Sequence, residues 1–326
     1  MRRPMRMTHG NKLERVLLIY KSMKSHLTGL IAAPFTPMLP DGSLNLPIIE
    51  QQADRMAAIG VAGAFVCGTT GEGMSLTTAE RLQIAERWIS AARKRLKVIV
   101  HVGHNNLGES RELAAHAERI GADAIATTGP SFFRPSNVAG LVEFCGCVAK
   151  GAPKLPFYFY HMPSMTGINM PMIEFLKLGS KRIPTLAGIK FTDENLMGYT
   201  QCLRFEDGRF NILFGRDEIL LAALAMGAKG AVGSTYNYMA PIYHRVRAAF
   251  ERGDIAVARS HQAMAIEIIA VMIKYGGLPA GKAMMKMIGI DCGPVRSPLQ
   301  NLATNTLAAF QTELAKTGFP GRVTEA

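Results

Sequence analysis

Long apolar segments are missing from this sequence of 326 residues. No uninterrupted apolar run approaches the ~18 residues of a membrane-spanning helix. Near the start, VLLIY (residues 16–20) is shorter than the ~7–15 apolar residues of a secretory signal. The five cysteines are an odd and scattered set, which is typical of reduced thiols rather than of a disulfide framework. We therefore predict a soluble cytoplasmic protein with no membrane partner.

Motifs for nucleotides and metals are also missing. No GxGxxG follows the first predicted strand, which disfavours a dinucleotide-binding fold. The glycine-rich GTTGEG segment (residues 68–73) lacks the GKS or GKT ending of a phosphate-binding loop. Cys145 and Cys147 form a single CxC with no second pair nearby, so we interpret them as helix packing and predict no metal site.

Acidic residues are scarce at the start of the chain. The net charge is +12, and residues 1–26 contribute +6 of it through seven Lys or Arg side chains against Glu14. A basic tail of this kind can bind nucleic acid or direct a protein to an organelle. We interpret residues 1–26 instead as a poorly ordered extension, with Met23 as the alternative start of the protein. We predict no nucleic-acid partner. The remaining +6 is spread along the chain and suits an anionic substrate.

Short apolar runs alternate regularly with helical patterns along the rest of the chain. The runs predict eight strands, at residues 29–35, 62–68, 97–103, 124–129, 156–162, 186–191, 211–217 and 230–234. Thr77 and Glu80 have the spacing of a helix capping box, and a second amphipathic segment stops at Gly121. This alternation predicts an α/β fold, a (β/α)8 TIM barrel, with a doubly wound sheet as the alternative.

No strand pattern follows Asn237, and residues 240–318 have the patterns of helices. We therefore predict a helical extension after the barrel. The predicted organisation is a basic extension at residues 1–26, a barrel at residues 27–238, and the last barrel helix with further C-terminal helices at residues 239–326.

Lys190 stands out at the end of the sixth predicted strand. LAGIKF (residues 186–191) is otherwise apolar, and a lysine is seldom buried without a partner or a use. Active residues of such barrels lie at the carboxyl ends of the strands. Apolar surroundings favour the uncharged amine, which can attack a ketone and form a Schiff base. The alternative is a structural ion pair with Asp217 or Glu218 on the next strand.

Other polar residues fall at the same predicted rim. The hydroxyls of Thr69 and Thr70, in a glycine-rich turn, suit a small carboxylate. Tyr160 shares a strand face with Tyr158, so it is either a proton shuttle beside the lysine or a core tyrosine with a bonded hydroxyl. His161 lies on the opposite face of that strand, and we predict that it is structural.

Five segments, GTTGE, YHMPSMTG, GIKFTD, FGRDE and GSTYNY, together resemble the pyruvate-dependent class I aldolases, the family of N-acetylneuraminate lyase and dihydrodipicolinate synthase. The resemblance runs from about Leu27 to beyond Arg296 and is closest to the branch that cleaves N-acetylneuraminate (sialic acid). It implies a lyase of carbohydrate metabolism that acts in sialic acid catabolism. It also implies a homotetramer with a small keto-acid sugar as substrate, no metal, and no cofactor beyond the covalent Schiff base.

The resemblance also implies roles for individual residues. Lys190 would form the Schiff base, and Tyr160 would relay a proton with help from the substrate carboxylate. The implied substrate-binding residues are Thr69 and Thr70 for the carboxylate and Thr192, Gly215, Asp217, Glu218 and Ser234 for the sugar hydroxyls. The implied reaction cleaves N-acetylneuraminate to N-acetylmannosamine and pyruvate. A polyol needs several such groups, since each buried hydroxyl left unpaired costs ~1–3 kcal/mol.

Two positions depart from the dihydrodipicolinate synthases. Those enzymes carry an arginine for a second carboxylate where this chain has Met165, and a neighbouring subunit's tyrosine in the segment where this chain has Phe132 and Phe133. Both differences weigh against that synthase, and Arg134 is a candidate to replace the tyrosine. Another aldolase, synthase or dehydratase of the same family remains the alternative, as does a barrel that only binds a keto acid.

Overall fold

The computed structural model describes residues 26–324, so the extension predicted for residues 1–26 lies outside the described residues except for His26. Eight parallel strands close into a barrel in which each strand pairs with the next and the last pairs with the first. They are β1 (Gly29–Ala32), β2 (Gly63–Val66), β3 (Lys97–His101), β4 (Ala124–Thr127), β5 (Phe157–His161), β6 (Leu186–Phe191), β7 (Asn211–Phe214) and β8 (Gly230–Gly233). The predicted (β/α)8 barrel is confirmed, and the doubly wound alternative is wrong.

Helices surround the barrel and extend beyond it. Those between the strands are α1 (Ile48–Ala58), α2 (Thr78–Ala92), α3 (Leu107–Arg119), α4 (Val138–Ala149), α5 (Pro163–Thr166), α6 (Met172–Arg182), α7 (Leu196–Arg204) and α8 (Leu220–Ala225). Those after β8 are α9 (Tyr236–Glu251), α10 (Ile255–Lys274), α11 (Leu278–Met287), α12 (Thr304–Lys316) and α13 (Gly321–Thr324). Helix α9 packs against β1 and α10, so the C-terminal extension is anchored on the barrel.

Strand residues alternate between the barrel interior and the surrounding helices. Tyr158 and Tyr160 of β5 belong to the inner cluster with Phe65, whereas Phe157 and Phe159 pack in the outer core. The two-sided arrangement predicted for this strand is confirmed. The interior is filled with side chains, as is usual for a barrel of eight strands, and the site is confined to one end.

Local sequence signals set the ends of the first helices. Thr77 and Glu80 form the predicted capping box, in which each side chain accepts a hydrogen bond from the other residue's backbone N–H. Asn106 caps the start of α3 with its side-chain oxygen, and Gly121 lies just beyond the end of that helix with φ +81°. These two predicted helix signals are confirmed.

The prediction of helices throughout residues 240–318 is wrong for residues 288–303, which are irregular. Gly293 has φ +65° and packs so tightly that a Cβ there would overlap the backbone oxygen of Met38. Pro294 follows it and has no N–H with which to continue a helix. The irregular segment carries Arg296 to the loop after β2, where its N–H donates to the Glu72 carboxylate at 2.8 Å.

Helix α10 is the one described helix that is long and apolar enough, by length and composition, to cross a membrane. Polar side chains interrupt its apolar residues, so it is not visible in the sequence as an uninterrupted apolar run. A core helix of a soluble protein meets the same criterion. Here the Gln262 side chain of α10 donates to the backbone oxygens of Asp217 and Glu218, so this helix supports the loop after β7.

Candidate active site

The carboxyl ends of the strands surround a cavity of about 220 Å³. All nine residues predicted for the site line it: Thr69, Thr70, Tyr160, Lys190, Thr192, Gly215, Asp217, Glu218 and Ser234. They come from the ends of β2, β5, β6, β7 and β8, so the parallel barrel brings together residues that are far apart in the chain. The structure thus confirms their common location, while their chemical roles stay predictions.

Lys190 projects into this cavity from β6, beside Tyr160 on β5 in the strand register. Its side chain is buried, and its Nζ lies 3.9 Å from the centroid of the Tyr160 ring and 4.1 Å from that of Phe65. None of the ion pairs among residues 26–324 includes Lys190, so the alternative of a structural pair with Asp217 or Glu218 is not seen there. The amine therefore has aromatic neighbours and no carboxylate that would hold it away from a substrate.

Tyr160 connects the lysine to the loop after β2. Its hydroxyl lies 3.2 Å from Thr69 Oγ1 and donates to Met162 Sδ at 3.0 Å. A phenol hydrogen-bonded to a hydroxyl beside an amine forms a short path along which a proton can move.

Two left-handed residues bracket the threonine turn. Cys67 has φ +57° and Glu72 has φ +55°, a region that residues with a Cβ seldom adopt. Thr36 Oγ1 donates to the backbone oxygen of Gly71 at 2.6 Å, which fixes the turn from the loop after β1. Thr69 and Thr70 thus sit on a held backbone at the cavity wall, as an anion site requires.

Asp217 is a buried carboxyl in which one oxygen is hydrogen-bonded to Thr235 and the other has no hydrogen-bond partner among the described residues. Its Oδ2 accepts from the N–H and the hydroxyl of Thr235, at 2.9 and 2.7 Å. Its Oδ1 has no hydrogen-bond partner among the described residues, and the lack of a Cβ at Gly233 leaves room for it. Burial, with a smaller contribution from neighbouring Glu218, raises the pKa of Asp217 to about 6.

Thr192 provides a second buried acceptor without a partner. Its Oγ1 makes no hydrogen bond within residues 26–324, and a Cβ at Gly215 would overlap it. The glycine therefore leaves the threonine hydroxyl accessible from the cavity. Buried polar atoms are normally hydrogen-bonded, so two unpartnered oxygens on Thr192 and Asp217 indicate that this wall is built for a ligand with several donors.

Sequence analysis missed His101, which lies behind Tyr160. Its ring centroid is 5.7 Å from that of Tyr160, edge to face, and Arg81 donates to its backbone oxygen at 2.7 Å. Burial and the charges of Arg81 and Lys190 lower the pKa of His101 well below its usual value, so the ring is neutral. The alternation of strand residues in KVIVHVG places His101 on the same face as Ile99, which points into the barrel. This pattern could have placed His101 in the barrel interior.

The C-terminal helices also contribute to the cavity, which sequence analysis did not predict. Ile269 and Met272 of α10 and Gly277 and Leu278 at the start of α11 line it. They are apolar, so they give no chemical signal in the sequence, and their position depends on how the extension packs. They add an apolar part to the lining of the cavity.

Several singled-out residues lie away from the cavity. His161 faces outward, 3.7 Å from the Asp193 carboxylate, and burial lowers its pKa to about 4, in agreement with the predicted structural role. Met165, Phe132 and Phe133 are exposed and do not line the cavity. Arg134 does not line it either, because its Nε donates to Ser131 O, so this chain does not place Arg134 at its own site.

No cluster of three or more His, Cys, Asp or Glu side chains that could hold a metal occurs within residues 26–324. All five cysteines are free, and Cys145 is buried in helix α4, where the packing interpretation placed it.

Comparison with known proteins identifies the family. The family model that represents the dihydrodipicolinate synthetase family matches residues 26–317 of this chain. The chain belongs to the dihydrodipicolinate synthetase family. Among similar proteins, N-acetylneuraminate lyase of Mus musculus is 46% identical over 301 residues, which cover 91% of this chain and 94% of that relative.

Solved structures of the dihydrodipicolinate synthetase fold include close matches. N-acetylneuraminate lyase of Proteus mirabilis is 43% identical with a TM-score of 0.88, covering 90% of this chain and 99% of that one. A structure described as the catalytic lysine mutant of Ruminococcus gnavus sialic acid aldolase is 25% identical with a TM-score of 0.84, covering 91% and 98%. The family resemblance read from the five sequence segments is confirmed.

Proposed function

We propose that this chain is a Schiff-base aldolase that cleaves N-acetylneuraminate to N-acetylmannosamine and pyruvate. The observation that carries the proposal is the position of Lys190 Nζ, buried against Tyr160 in a cavity that all nine predicted residues line. The relatives at 43–46% identity carry the name N-acetylneuraminate lyase, and a more distant relative is described by its catalytic lysine.

In the first step of this proposal, Lys190 Nζ attacks the C2 ketone of the open-chain sugar acid. Loss of water from the carbinolamine gives an iminium between the lysine and the substrate. Thr69 and Thr70 hold the substrate carboxylate, which fixes the ketone beside the amine. The iminium is the electron sink for the next step, so the chemistry requires no further cofactor.

Cleavage then needs a proton acceptor at the 4-hydroxyl. Tyr160 takes that proton while its own phenolic proton passes toward Thr69 and the substrate carboxylate, so the relay leaves no net charge on the tyrosine. The C3–C4 electron pair moves to the iminium, which gives an enamine and releases N-acetylmannosamine as an aldehyde. Protonation at C3 and hydrolysis of the resulting iminium release pyruvate and restore the lysine.

The polyol portion of the substrate lies, in this proposal, against the wall formed by Thr192, Gly215, Asp217, Glu218 and Ser234. The free oxygens of Thr192 and Asp217 match sugar hydroxyl donors. A short aldehyde acid would leave them unpaired in the complex, at ~1–3 kcal/mol each. This wall is the reason to prefer a sugar acid over the smaller substrates of other family members.

The direct test is reduction with borohydride in the presence of pyruvate. We expect a pyruvyl adduct on the peptide that contains Lys190, detected by mass spectrometry, and no adduct without pyruvate. An unmodified Lys190, or an adduct on another lysine, would remove the catalytic assignment.

The alternative is another keto-acid aldolase, synthase or dehydratase on the same barrel. Exposed Met165 offers no cation for a second carboxylate, which weighs against dihydrodipicolinate synthesis. Release of pyruvate should be compared for N-acetylneuraminate and for 2-keto-3-deoxy sugar acids. Faster turnover of the deoxy sugar acids would replace the proposed substrate while retaining the Schiff-base chemistry.

We further propose that the protein is a cytoplasmic homotetramer, as the family resemblance implies. Sedimentation of the full chain measures the assembly directly. Cell fractionation measures the location, and deletion of residues 1–22 should leave turnover unchanged.

A further inference from the structure

Glu72, the acidic residue of GTTGEG, has no role in the proposed chemistry, yet it is almost completely buried. It has a left-handed backbone, with φ +55° and ψ +30°, which a residue with a Cβ seldom adopts. Its N–H donates to the backbone oxygen of Thr69 at 3.0 Å. The conformation of Glu72 is therefore part of the turn that presents the two threonines.

The Glu72 carboxylate is held on both oxygens by the C-terminal extension. Its Oε1 pairs with Lys282 Nζ of α11 at 2.8 Å, and the two side chains are only 1% and 3% exposed. Its Oε2 accepts from the backbone N–H of Arg296 at 2.8 Å. Lys282 also donates to the backbone oxygen of Pro294 at 2.5 Å, so the same irregular segment is bound to both partners.

Arg296 extends the connection around the outside of the turn. Its guanidinium pairs with Glu80 at 2.5 Å, and its Nη1 donates to the backbone oxygen of Ser75 at 3.1 Å. Its Nη2 also donates to the backbone oxygen of Gly42 at 2.7 Å, in the loop after β1. Glu80 belongs to the capping box at the start of α2, so the segment contacts the chain on both sides of Glu72.

This network joins the two walls of the cavity. One wall is the turn with Thr69 and Thr70, and the other is the start of α11, where Leu278 lines the cavity one helical turn before Lys282. Glu72 follows the turn that carries Thr69 and Thr70, and Lys282 lies on the helix that carries Leu278. The contact between Glu72 and Lys282 therefore sets the distance between the two walls.

We propose that Glu72 and Lys282 are positioning residues, whose buried pair fixes the threonine turn against α11 in the geometry that binds the substrate carboxylate. This inference rests on the proposed function only for the identity of the bound group. Neither residue touches the reacting atoms.

The charge of the pair is itself informative. A buried ion pair is seldom more stabilising than well-packed apolar residues of similar size, so stability alone does not explain it. A carboxylate with two oxygens fixed from two directions defines the orientation of its backbone, which apolar contacts do not. The left-handed conformation at Glu72 is the feature that needs such a restraint.

The test uses three variants of the full chain: Glu72→Gln, Lys282→Met and the double variant with both changes. The double variant removes both charges and nearly preserves volume, so it is expected to fold even where a single change leaves an unpaired buried charge. Lys286→Met is the matched control, because Lys286 lies on the same helix and pairs with Asp291 at 2.7 Å on the surface.

Two measurements decide the outcome. The first is the pyruvate concentration that gives half-maximal borohydride trapping on Lys190, which we expect to rise about 10- to 100-fold in the double variant with full trapping at saturation. The second is hydrogen–deuterium exchange of the peptide that spans residues 67–75, which should become faster in the double variant. Both should stay unchanged in Lys286→Met.

A double variant that folds with unchanged half-saturation and unchanged exchange would overturn the inference, since the pair would then be structural only. Absence of trapping in the unmodified protein would contradict the proposed function instead. In that case the hydrogen–deuterium exchange of residues 67–75 decides the inference alone, because it reports how firmly the turn is held and needs no substrate.

Discussion

Two lysines in this protein are equally buried and differently surrounded. Lys190 and Lys282 are each 4% exposed. Lys282 pairs with Glu72 and donates to a backbone oxygen, while Lys190 lies against two aromatic rings and forms no ion pair among the described residues. Burial alone therefore does not distinguish the lysine proposed to form the Schiff base from the one proposed to position the turn, and the partners of the nitrogen differ between them.

The comparison extends to the carboxyl groups near each lysine. Glu72 has both oxygens occupied, whereas Asp217 keeps Oδ1 without a described partner and has a pKa raised to about 6 by burial. The Glu72 carboxylate contacts groups of the chain itself, an ammonium at one oxygen and a backbone N–H at the other. The region of Asp217 has unused polar atoms around a cavity, which is the expected state of a binding site before the ligand arrives.

The largest predicted effect comes from removing the unpaired amine. Lys190→Met should lower turnover of N-acetylneuraminate by about 10⁴-fold or more, because no nucleophile remains for the Schiff base. The free energy of unfolding should change little, or increase, since an apolar side chain replaces an amine that has no ion-pair partner. Steady-state kinetics and urea unfolding measure the two quantities.

Lys190→Arg is the control for this prediction, since it keeps a long basic side chain and removes the nucleophilic amine. It should also be inactive. An active arginine variant would show that the amine is not the nucleophile and would erase the proposed difference between the two lysines.

The second effect concerns stability. Lys282→Met should lower the free energy of unfolding by about 3–5 kcal/mol, because Glu72 would keep a buried charge with no ion-pair partner among the described residues. The double variant with Glu72→Gln should recover most of that loss. Urea unfolding of the single and double variants checks this, and a double variant less stable than Lys282→Met would contradict it.

The fold was predictable from the sequence because each strand is a short apolar run with polar residues at its end. The common location of the nine predicted residues followed for the same reason, since a parallel barrel must bring the carboxyl ends of its strands together. Their selection as substrate-binding residues came from the family resemblance. Lys190 was visible as a single charge in LAGIKF, where the buried strand allowed few explanations.

The contributions of other elements were not predictable in the same way. The partner of Glu72 lies 210 residues further along the chain, on a helix whose packing no local pattern fixes. His101 was missed because strand alternation indicates only the face that a single histidine occupies and gives no chemical role. Residues 288–303 were included in the predicted helical extension because no strand pattern follows Asn237, although Gly293 and Pro294 interrupt the helix.

The third effect is a pH dependence at Asp217. Its pKa of about 6 in the folded chain exceeds the unfolded value of about 3.9, so the folded state holds the extra proton between those values. Its contribution to stability is present below about pH 4 and is lost as the pH rises to 6, by about 2–3 kcal/mol. His161 and His101, whose pKa values are lowered by burial, contribute in the opposite direction over the same range. Asp217→Asn should therefore make stability rise more, or fall less, between pH 4 and 6 than in the unmodified protein, as measured by urea unfolding across a pH series.

The control for the Asp217 prediction is the same pH series on Asp207→Asn, a change at an exposed carboxyl outside the cavity. It should leave the slope between pH 4 and 6 in place. An unchanged slope in Asp217→Asn would mean that this carboxyl is not the group that titrates, and the proposed contrast with Glu72 would lose its electrostatic basis.

The smallest effect is predicted for Lys286→Met, four residues from Lys282 on the same helix. Lys286 pairs with Asp291 as closely as Lys282 pairs with Glu72, at 2.7 Å against 2.8 Å. The side chains of Lys286 and Asp291, however, are 70% and 53% exposed. Water and salt screen such a pair, so the urea midpoint at physiological ionic strength should not change measurably. If Lys286→Met destabilised the protein as strongly as Lys282→Met, the effect of Lys282 would follow from pairing on α11 in general. An unchanged midpoint assigns it to burial of the charge beside the threonine turn.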